Sequence, residues 1–187
     1  MKNLVEIIEE KHQVILDIRY ASKNNICQKE LYSRPICFLH FETEKKLKKA
    51  VELAKEKKLK IKIFDAYRPI KVQEYMFNMF PGDFVSNPKT GAIPHCRGIA
   101  IDLTLCDENN QEIEMGSDFD EFSNLAFHDC EKISKSVQEN RKKLLEIMTK
   151  AGFDSYSKEW WHYQLFNPRD YEIIASDKKL ISNEINL

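Results

Sequence analysis

Two short stretches of the chain bring together residues whose types and spacing suit metal binding and proton transfer. In Pro94-His95-Cys96-Arg97-Gly98-Ile99-Ala100-Ile101-Asp102 an imidazole stands just ahead of an alternating segment, and a carboxylate follows seven residues later within it. Ile99, Ile101 and Leu103 form the apolar face of that segment, so Asp102 points the other way, between the small Ala100 and Thr104, with room for an ion or a substrate. In Glu159-Trp160-Trp161-His162 a second acid precedes a second imidazole. A regular strand would put residues three apart on opposite faces, which places Glu159 at the bend entering the strand. Each piece alone has an ordinary structural reading: a solvent-facing strand carboxylate, a satisfied loop histidine, a strand-end glutamate, a half-buried sheet histidine. Together they supply two neutral imidazoles, a carboxylate and a spare acid, the set a catalytic zinc site needs for three ligands, an open position and a general base. Zinc lowers the pKa of bound water to about 7, and a neighbouring glutamate can take its proton as the water attacks a peptide carbonyl. Arg68, in Asp65-Ala66-Tyr67-Arg68-Pro69, stands at a strand end where it could stabilise the resulting oxyanion. An exposed arginine before a turn proline is the alternative.

These side chains need a scaffold, and hydrophobic patterning outlines one. Leu59 to Phe64 alternates as L-K-I-K-I-F, a strand that delivers Arg68 into a loop, and Pro69 suits the first turn of a helix through Gln73, Tyr75 and Met76. Pro81 to Pro94 is the richest turn region, a surface loop or lid. Gly98 to Leu105 and Trp160 to Phe166 read as strands, the second with Trp161, Tyr163 and Leu165 on one side and Trp160, His162 and Gln164 on the other. Thr43 to Lys58 predicts an amphipathic helix with Thr43 as N-cap, Glu44 in its first turn, and Leu47, Ala50, Val51 and Ala54 on one stripe. Ile133 to Ala151 predicts another, with Val137, Leu144 and Met148 on its stripe and Gly152 ending it. Strands and helices mix without regular βαβ alternation, so the expected class is α+β, helices packed on a mainly antiparallel sheet.

Composition bounds what such a site can serve. The 187 residues, 42% hydrophobic, are enough for one core and short for two, so a single domain over residues 1–187 is expected. Twenty-nine Lys plus Arg against thirty Asp plus Glu give a net charge of -1, no field for nucleic acid or an anionic membrane. Nine lysines between Lys45 and Lys62 interleave with Glu52 and Glu56 without Arg or aromatics, the pattern of a solvated helix face. No run approaches the roughly 20 apolar residues of a membrane span. Five cysteines, an odd number with no C-x-x-C pair, fit reduced thiols in the cytoplasm.

The stretches F-D-A-Y-R-P, H-C-R-G-I-A-I-D-L-T-L, M-G-S-D-F-D and E-W-W-H-Y, in that order, resemble the D-alanyl-D-alanine dipeptidases, zinc enzymes of vancomycin resistance and related bacterial cell-wall metabolism. The earlier D-I-R-Y-A-S-K-N-N is similar to that family's N-terminal strand and loop, so the likeness spans about residues 17–166. The resemblance implies a fold shared with zinc D,D-carboxypeptidases and the hedgehog signalling domain, and hydrolysis of D-Ala-D-Ala to two D-alanines. It implies one zinc per chain bound by His95, Asp102 and His162, Glu159 as general base and then acid, and Arg68 on the tetrahedral intermediate. Asp120, the last residue of M-G-S-D-F-D, would receive the substrate's ammonium group. That role suits the chemistry, because an enzyme cutting free dipeptides must measure the N-terminus from the metal; an N-cap to Glu121-Phe122 is the alternative reading.

Three departures stand out. Ile93-Pro94 occupies the place where many members have serines, the Arg68 to His95 interval is short, and a tail from Arg169 to Leu187 extends past the motifs with no role for its Ile173-Ile174 and Leu180-Ile181 pairs. The first two bear on dipeptide selectivity. Cys96 reads as a structural or exposed thiol projecting away from its histidine neighbour, His128 is the best decoy ligand, and His12 and His40 lack an acidic partner at informative spacing. Two rival readings remain: a D,D-carboxypeptidase acting on longer peptides, and a non-catalytic module stabilised by zinc, against which the presence of both Glu159 and Arg68 argues.

Overall fold

The two motif-bearing strands lie side by side in one sheet of the computed structural model, which describes residues 3–82, 84–175 and 178–184. In chain order the elements are β1 (Leu4–Ile7), α1 (Glu9–His12), β2 (Ile15–Leu16), β3 (Cys37–His40), α2 (Phe41–Glu56), β4 (Lys60–Asp65), α3 (Ile70–Met79), β5 (Ala100–Cys106), α4 (Lys135–Ala151), β6 (Asp154–Ser155) and β7 (His162–Gln164). Five strands form a sheet in the order β2-β4-β5-β7-β6, parallel only between β2 and β4, and β1 pairs with β3 in a separate antiparallel ribbon. The α+β expectation holds.

The central strand β5 has all seven residues buried, so the face carrying Ala100, Asp102 and Thr104 is covered by loops rather than left open. On the other face, Ile101, Leu103 and Leu105 share a core with Ile61 and Ile63 of β4, the stripe Leu47, Ala50, Val51 and Ala54 of α2, and Leu144, Ile147 and Met148 of α4. Register then does the positioning: Asp102 lies opposite His162 on β7 and opposite Asp65 at the irregular end of β4.

Several boundaries differ from expectation because side chains serve tertiary contacts. Helix α2 starts at Phe41, its first turn capped by His40 Nδ1, which accepts the Glu42 N–H at 3.3 Å. Thr43, expected as the cap, is buried and donates its hydroxyl to the Gly98 carbonyl at 3.2 Å. Helix α4 starts after Ser134, whose hydroxyl accepts the Val137 N–H, leaving Ile133 outside; Gly152 ends it in the left-handed region at φ +100°. The last strand keeps only three residues, with Trp160 and Trp161 in the turn before it, packed edge to face at 5.3 Å. His12 does have an acidic partner: its Nε2 lies 3.3 Å from the buried Glu44, 32 residues away.

The tail is woven into the fold rather than appended to it. Ile174 donates its N–H to the Cys96 carbonyl at 3.0 Å, Arg97 donates to the Tyr171 carbonyl, and Tyr67 donates its hydroxyl to the Ile174 carbonyl at 3.3 Å. Farther on, Ser33 N–H bonds the Leu180 carbonyl at 3.1 Å and Ile181 pairs with Tyr32. The tail thus braces the turn that carries His95; residues 185–187 lie outside the described part. Among the described residues no helix is long and apolar enough to cross a membrane.

Candidate active site

His95 sits in a single 3-10 turn, Pro94–Arg97, entered through Ile93 at φ +42° and left through Gly98 at φ +68°. Glycine is required at that exit twice over: the dihedral favours it, and a Cβ there would lie 2.7 Å from Leu4 Cδ2 and 3.0 Å from the His40 nitrogen. The Nδ1 of His95 is 2.7 Å from the Ala66 carbonyl, an acceptor only, so Nδ1 carries the proton and Nε2 keeps its lone pair. His162 is arranged in the complementary way. Its Nε2 donates to Gln164 Oε1 at 3.0 Å, which leaves Nδ1 as the free lone pair.

These two free nitrogens and one oxygen of Asp102 face one another. His95 Nε2 lies 3.2 Å from His162 Nδ1, His162 Nδ1 lies 3.0 Å from Asp102 Oδ1, and His95 Nε2 lies 3.3 Å from the same oxygen. With both ring protons committed elsewhere, three acceptors converge with no hydrogen between them, an arrangement that a cation relieves. A tetrahedral ion with bonds of about 2.0–2.1 Å needs its donors about 3.3 Å apart, so the spacing and the N2O donor set fit zinc. Among the described residues this is the group of His, Cys, Asp or Glu close enough to hold an ion.

The remaining expected residues close around this triangle. Glu159, in the bend before β7, places Oε2 3.8 Å from His162 Nδ1 and is 7% exposed. Burial pushes its carboxyl up to about 8, opposed by His162 and reinforced by the Asp102 charge. Arg68 is buried rather than exposed: Nε and Nη2 donate to Asp65 Oδ2 at 3.0 and 2.8 Å, Nη1 donates to Gln73 Oε1 at 3.0 Å, and Nη2 is 3.7 Å from Asp102 Oδ2. Asp120 starts no helix and is no N-cap. It takes a left-handed conformation, φ +63°, and accepts the Tyr20 hydroxyl at 3.0 Å and the Ile26 N–H at 3.5 Å. Burial pushes its carboxyl up to about 7. Arg68, His95, Asp102, Asp120, Glu159 and His162 all line one cavity of about 230 Å³.

Other lining and supporting residues went unassigned in the sequence. Tyr20 stood in the D-I-R-Y stretch with no role, and its bond to Asp120 spans 100 residues. Gln164 was marked only by sharing a strand face with His162. Arg141 interrupts the apolar stripe of α4, yet it is buried, donating to the carbonyls of Met115, Leu125 and Phe127 at 2.6, 2.6 and 2.7 Å. Those carbonyls flank Asp120, so one guanidinium staples the loop that delivers it. Replacing Arg141 by Met strands one buried and two part-buried acceptors; with ΔΔG of about 3 kcal/mol the melting temperature should fall by roughly 6–12 °C. Thermal denaturation showing a change under about 2 °C would contradict this role.

The decoys separate cleanly. His128 packs edge-on against Tyr163 at 6.1 Å and is pushed down to about 4 by burial, assisted by Arg141; it is no part of the triangle. Cys96 is fully buried within the 3-10 turn, not in extended chain, and burial pushes its thiol up to about 12, so it is neither exposed nor a thiolate. His40 serves as the helix cap described above.

Comparison with known proteins identifies relatives of the chain. The sequence model of the family Peptidase_M15, described as D-ala-D-ala dipeptidase, matches residues 1–177. The D-alanyl-D-alanine dipeptidase of Escherichia coli (strain K12) is 34% identical over 160 residues, covering 86% of this chain and 83% of that one. That of Enterococcus faecium is 31% identical over 175 residues, covering 82% and 87%. That of Enterococcus faecalis (strain ATCC 700802 / V583) is 42% identical over 74 residues, covering 39% and 37%. The family match reaches beyond the motifs in both directions and takes in the bracing segment at 171–175. A match over nearly the whole chain, on a fold that gathers the separated motifs around one cavity, shows that this chain belongs to the Peptidase_M15 family of D-Ala-D-Ala dipeptidases and is a peptidase.

Proposed function

We propose that the chain is a zinc-dependent dipeptidase that hydrolyses D-alanyl-D-alanine to two D-alanines, with one zinc held by His95, Asp102 and His162. The observation that carries the reading is the triangle of proton-free donors, 3.0–3.3 Å on a side, inside a cavity that also holds a buried acid, a buried guanidinium and a second carboxylate. Zinc at such a site supplies Lewis acidity toward the scissile carbonyl and toward the attacking water.

The chain's own residues supply the rest. Glu159 takes a proton from the water as its oxygen attacks the carbonyl carbon, then returns it to the amine nitrogen as the C–N bond breaks. Its elevated proton affinity suits both halves of that transfer near neutral pH. Arg68 has five N–H donors, of which three are committed to Asp65 and Gln73; the remaining two are available to the oxygen that becomes negative. Asp120, ionised, receives the substrate ammonium, while the Tyr20 hydroxyl keeps the carboxylate oriented. The burial of Arg68, Asp120 and Glu159 strengthens each of these interactions. Five thiols with no disulfide support a reducing, cytoplasmic location, and a small zwitterionic substrate accounts for a site whose charges are local.

Cleavage of D-Ala-D-Ala compared with N-acetyl-D-Ala-D-Ala tests this reading. Removing the ammonium leaves Asp120 a buried unpaired carboxylate, so kcat/KM should fall by at least about 100-fold. Equal cleavage of both would point instead to a D,D-carboxypeptidase acting on longer peptides.

A further inference from the structure

The roof of the cavity is the short loop between α3 and the His95 turn, and one buried side chain joins it to Arg68. Gln73, in the first turns of α3, is 2% exposed. Its amide oxygen accepts from Arg68 Nη1 at 3.0 Å, and its amide nitrogen donates to the Ser86 carbonyl at 2.8 Å. The orientation is forced, because a guanidinium offers donors only and a carbonyl accepts only. Beside Ser86 the loop is anchored by buried Val85 and by Phe84, whose ring stacks on Phe122 at 4.7 Å and 11°. Gln73, Ser86 and Arg68 all line the cavity.

The other anchor on Arg68 is incomplete by itself. Both Nε and Nη2 donate to one and the same oxygen of Asp65, Oδ2, while Oδ1 is taken by the Tyr32 hydroxyl at 2.6 Å. Two bonds to a single oxygen orient the guanidinium less firmly than a fork-to-fork pair would, and its other neighbours, Asp102 Oδ2 at 3.7 Å and the Tyr20 ring at 5.0 Å, add charge and ring contacts but no further hydrogen bond. The bond from Nη1 to Gln73 is the second point of attachment.

We propose that Gln73 is a positioning residue for the reaction: it firms the orientation of the Arg68 guanidinium and, through Ser86, ties the roof loop closed, so that oxyanion stabilisation and closure over the dipeptide are set together. This rests on the assignment of Arg68 to the oxyanion. The two bonds of Gln73 can be separated experimentally. Gln73→Glu keeps an acceptor for Arg68 but sets an oxygen against the Ser86 carbonyl, releasing the roof. Gln73→Met keeps the volume and loses both bonds.

The test measures kcat and KM for D-Ala-D-Ala, affinity for a phosphinate analogue of the dipeptide, zinc content and melting temperature. Gln73→Met should lose about 10- to 100-fold in kcat and the same factor in phosphinate affinity, with zinc content unchanged, because a misdirected guanidinium fails the tetrahedral state most. Gln73→Glu should keep kcat within about threefold while KM rises by about threefold or more. A Gln73→Met enzyme within about threefold of wild type in both constants, or a Gln73→Glu enzyme with unchanged KM, overturns the proposal. If Gln73→Met fails to fold, the kcat and KM split of Gln73→Glu decides. Arg68→Ala is run in parallel: full activity there sinks the Arg68 assignment itself, whereas loss there with none in the Gln73 variants sinks only the coupling.

Discussion

Replacing Glu159 by Gln should lower kcat by about 10²- to 10⁴-fold and leave zinc content unchanged. The side chain keeps its size and loses only the ability to take and return a proton. It stands outside the donor triangle, its nearest oxygen 3.8 Å from His162 Nδ1, so the metal ligands are untouched. Burial already raises the Glu159 carboxyl to about 8, which means the fold opposes its charge; a neutral amide removes that opposition, and loss of activity through unfolding is not expected. Steady-state kinetics with metal analysis on the same preparation checks this. A Glu159→Gln enzyme that turns over at near wild-type rate would contradict the assignment of the proton transfer.

Asp120→Asn should separate activity from stability. Substrate binding loses a buried charge pair, worth about 2–5 kcal/mol, so kcat/KM for D-Ala-D-Ala should drop by roughly 30- to several-thousand-fold. Stability should move the other way. Burial raises the folded carboxyl to about 7, above its ordinary 3.8, so the folded state holds the proton more tightly than the unfolded chain does. Wild-type stability therefore declines as pH rises from about 4 to about 7 and stays at the lower level above that. The Asn variant lacks this decline. At pH 8 it should be more stable than wild type by at most about 4 kcal/mol, less with a cation in the donor triangle, and at pH below about 4 the two should coincide. Activity carries a matching signature: the wild-type kcat/KM should rise with pH both as Asp120 ionises near 7 and as Glu159 ionises near 8, and only the Glu159 limb should remain in the variant. Melting curves and kcat/KM across pH 4–9 measure both. An Asn variant less stable than wild type at pH 8, or one whose kcat/KM profile across pH 4–9 is superimposable on that of wild type, would show that Asp120 is not the buried, substrate-facing carboxylate described here.

What was legible in advance follows from periodicity and local chemistry. The alternation of residues 99–105 separates Asp102 from the apolar face, and the offset of three between Glu159 and His162 requires the bend that the structure contains. The pairing of Asp102 with His162 could not be read in this way, because register between strands 60 residues apart leaves no local trace. The same holds for Tyr20 with Asp120 and His12 with Glu44, where each partner looks ordinary until the chain returns. Arg141 was hidden for a different reason: three backbone carbonyls satisfy its charge, so no acidic residue advertises the burial. Thr43 and Ser134 are equally good caps by residue type, yet the close approach of Gly98 claims the Thr43 hydroxyl and moves the helix start to Phe41. The tail looked unassigned because its contacts to the His95 turn run mainly through backbone groups, which carry no side-chain signature.

The most direct test of the account is zinc content measured alongside D-Ala release from D-Ala-D-Ala on one purified preparation, before chelation, after it, and after zinc is restored. The account predicts one zinc per chain, release that falls with zinc occupancy, and recovery in proportion to zinc returned. Undiminished release from zinc-free protein would contradict the metal assignment, and stoichiometric zinc with no hydrolysis of any D-amino-acid dipeptide would contradict the proposed activity.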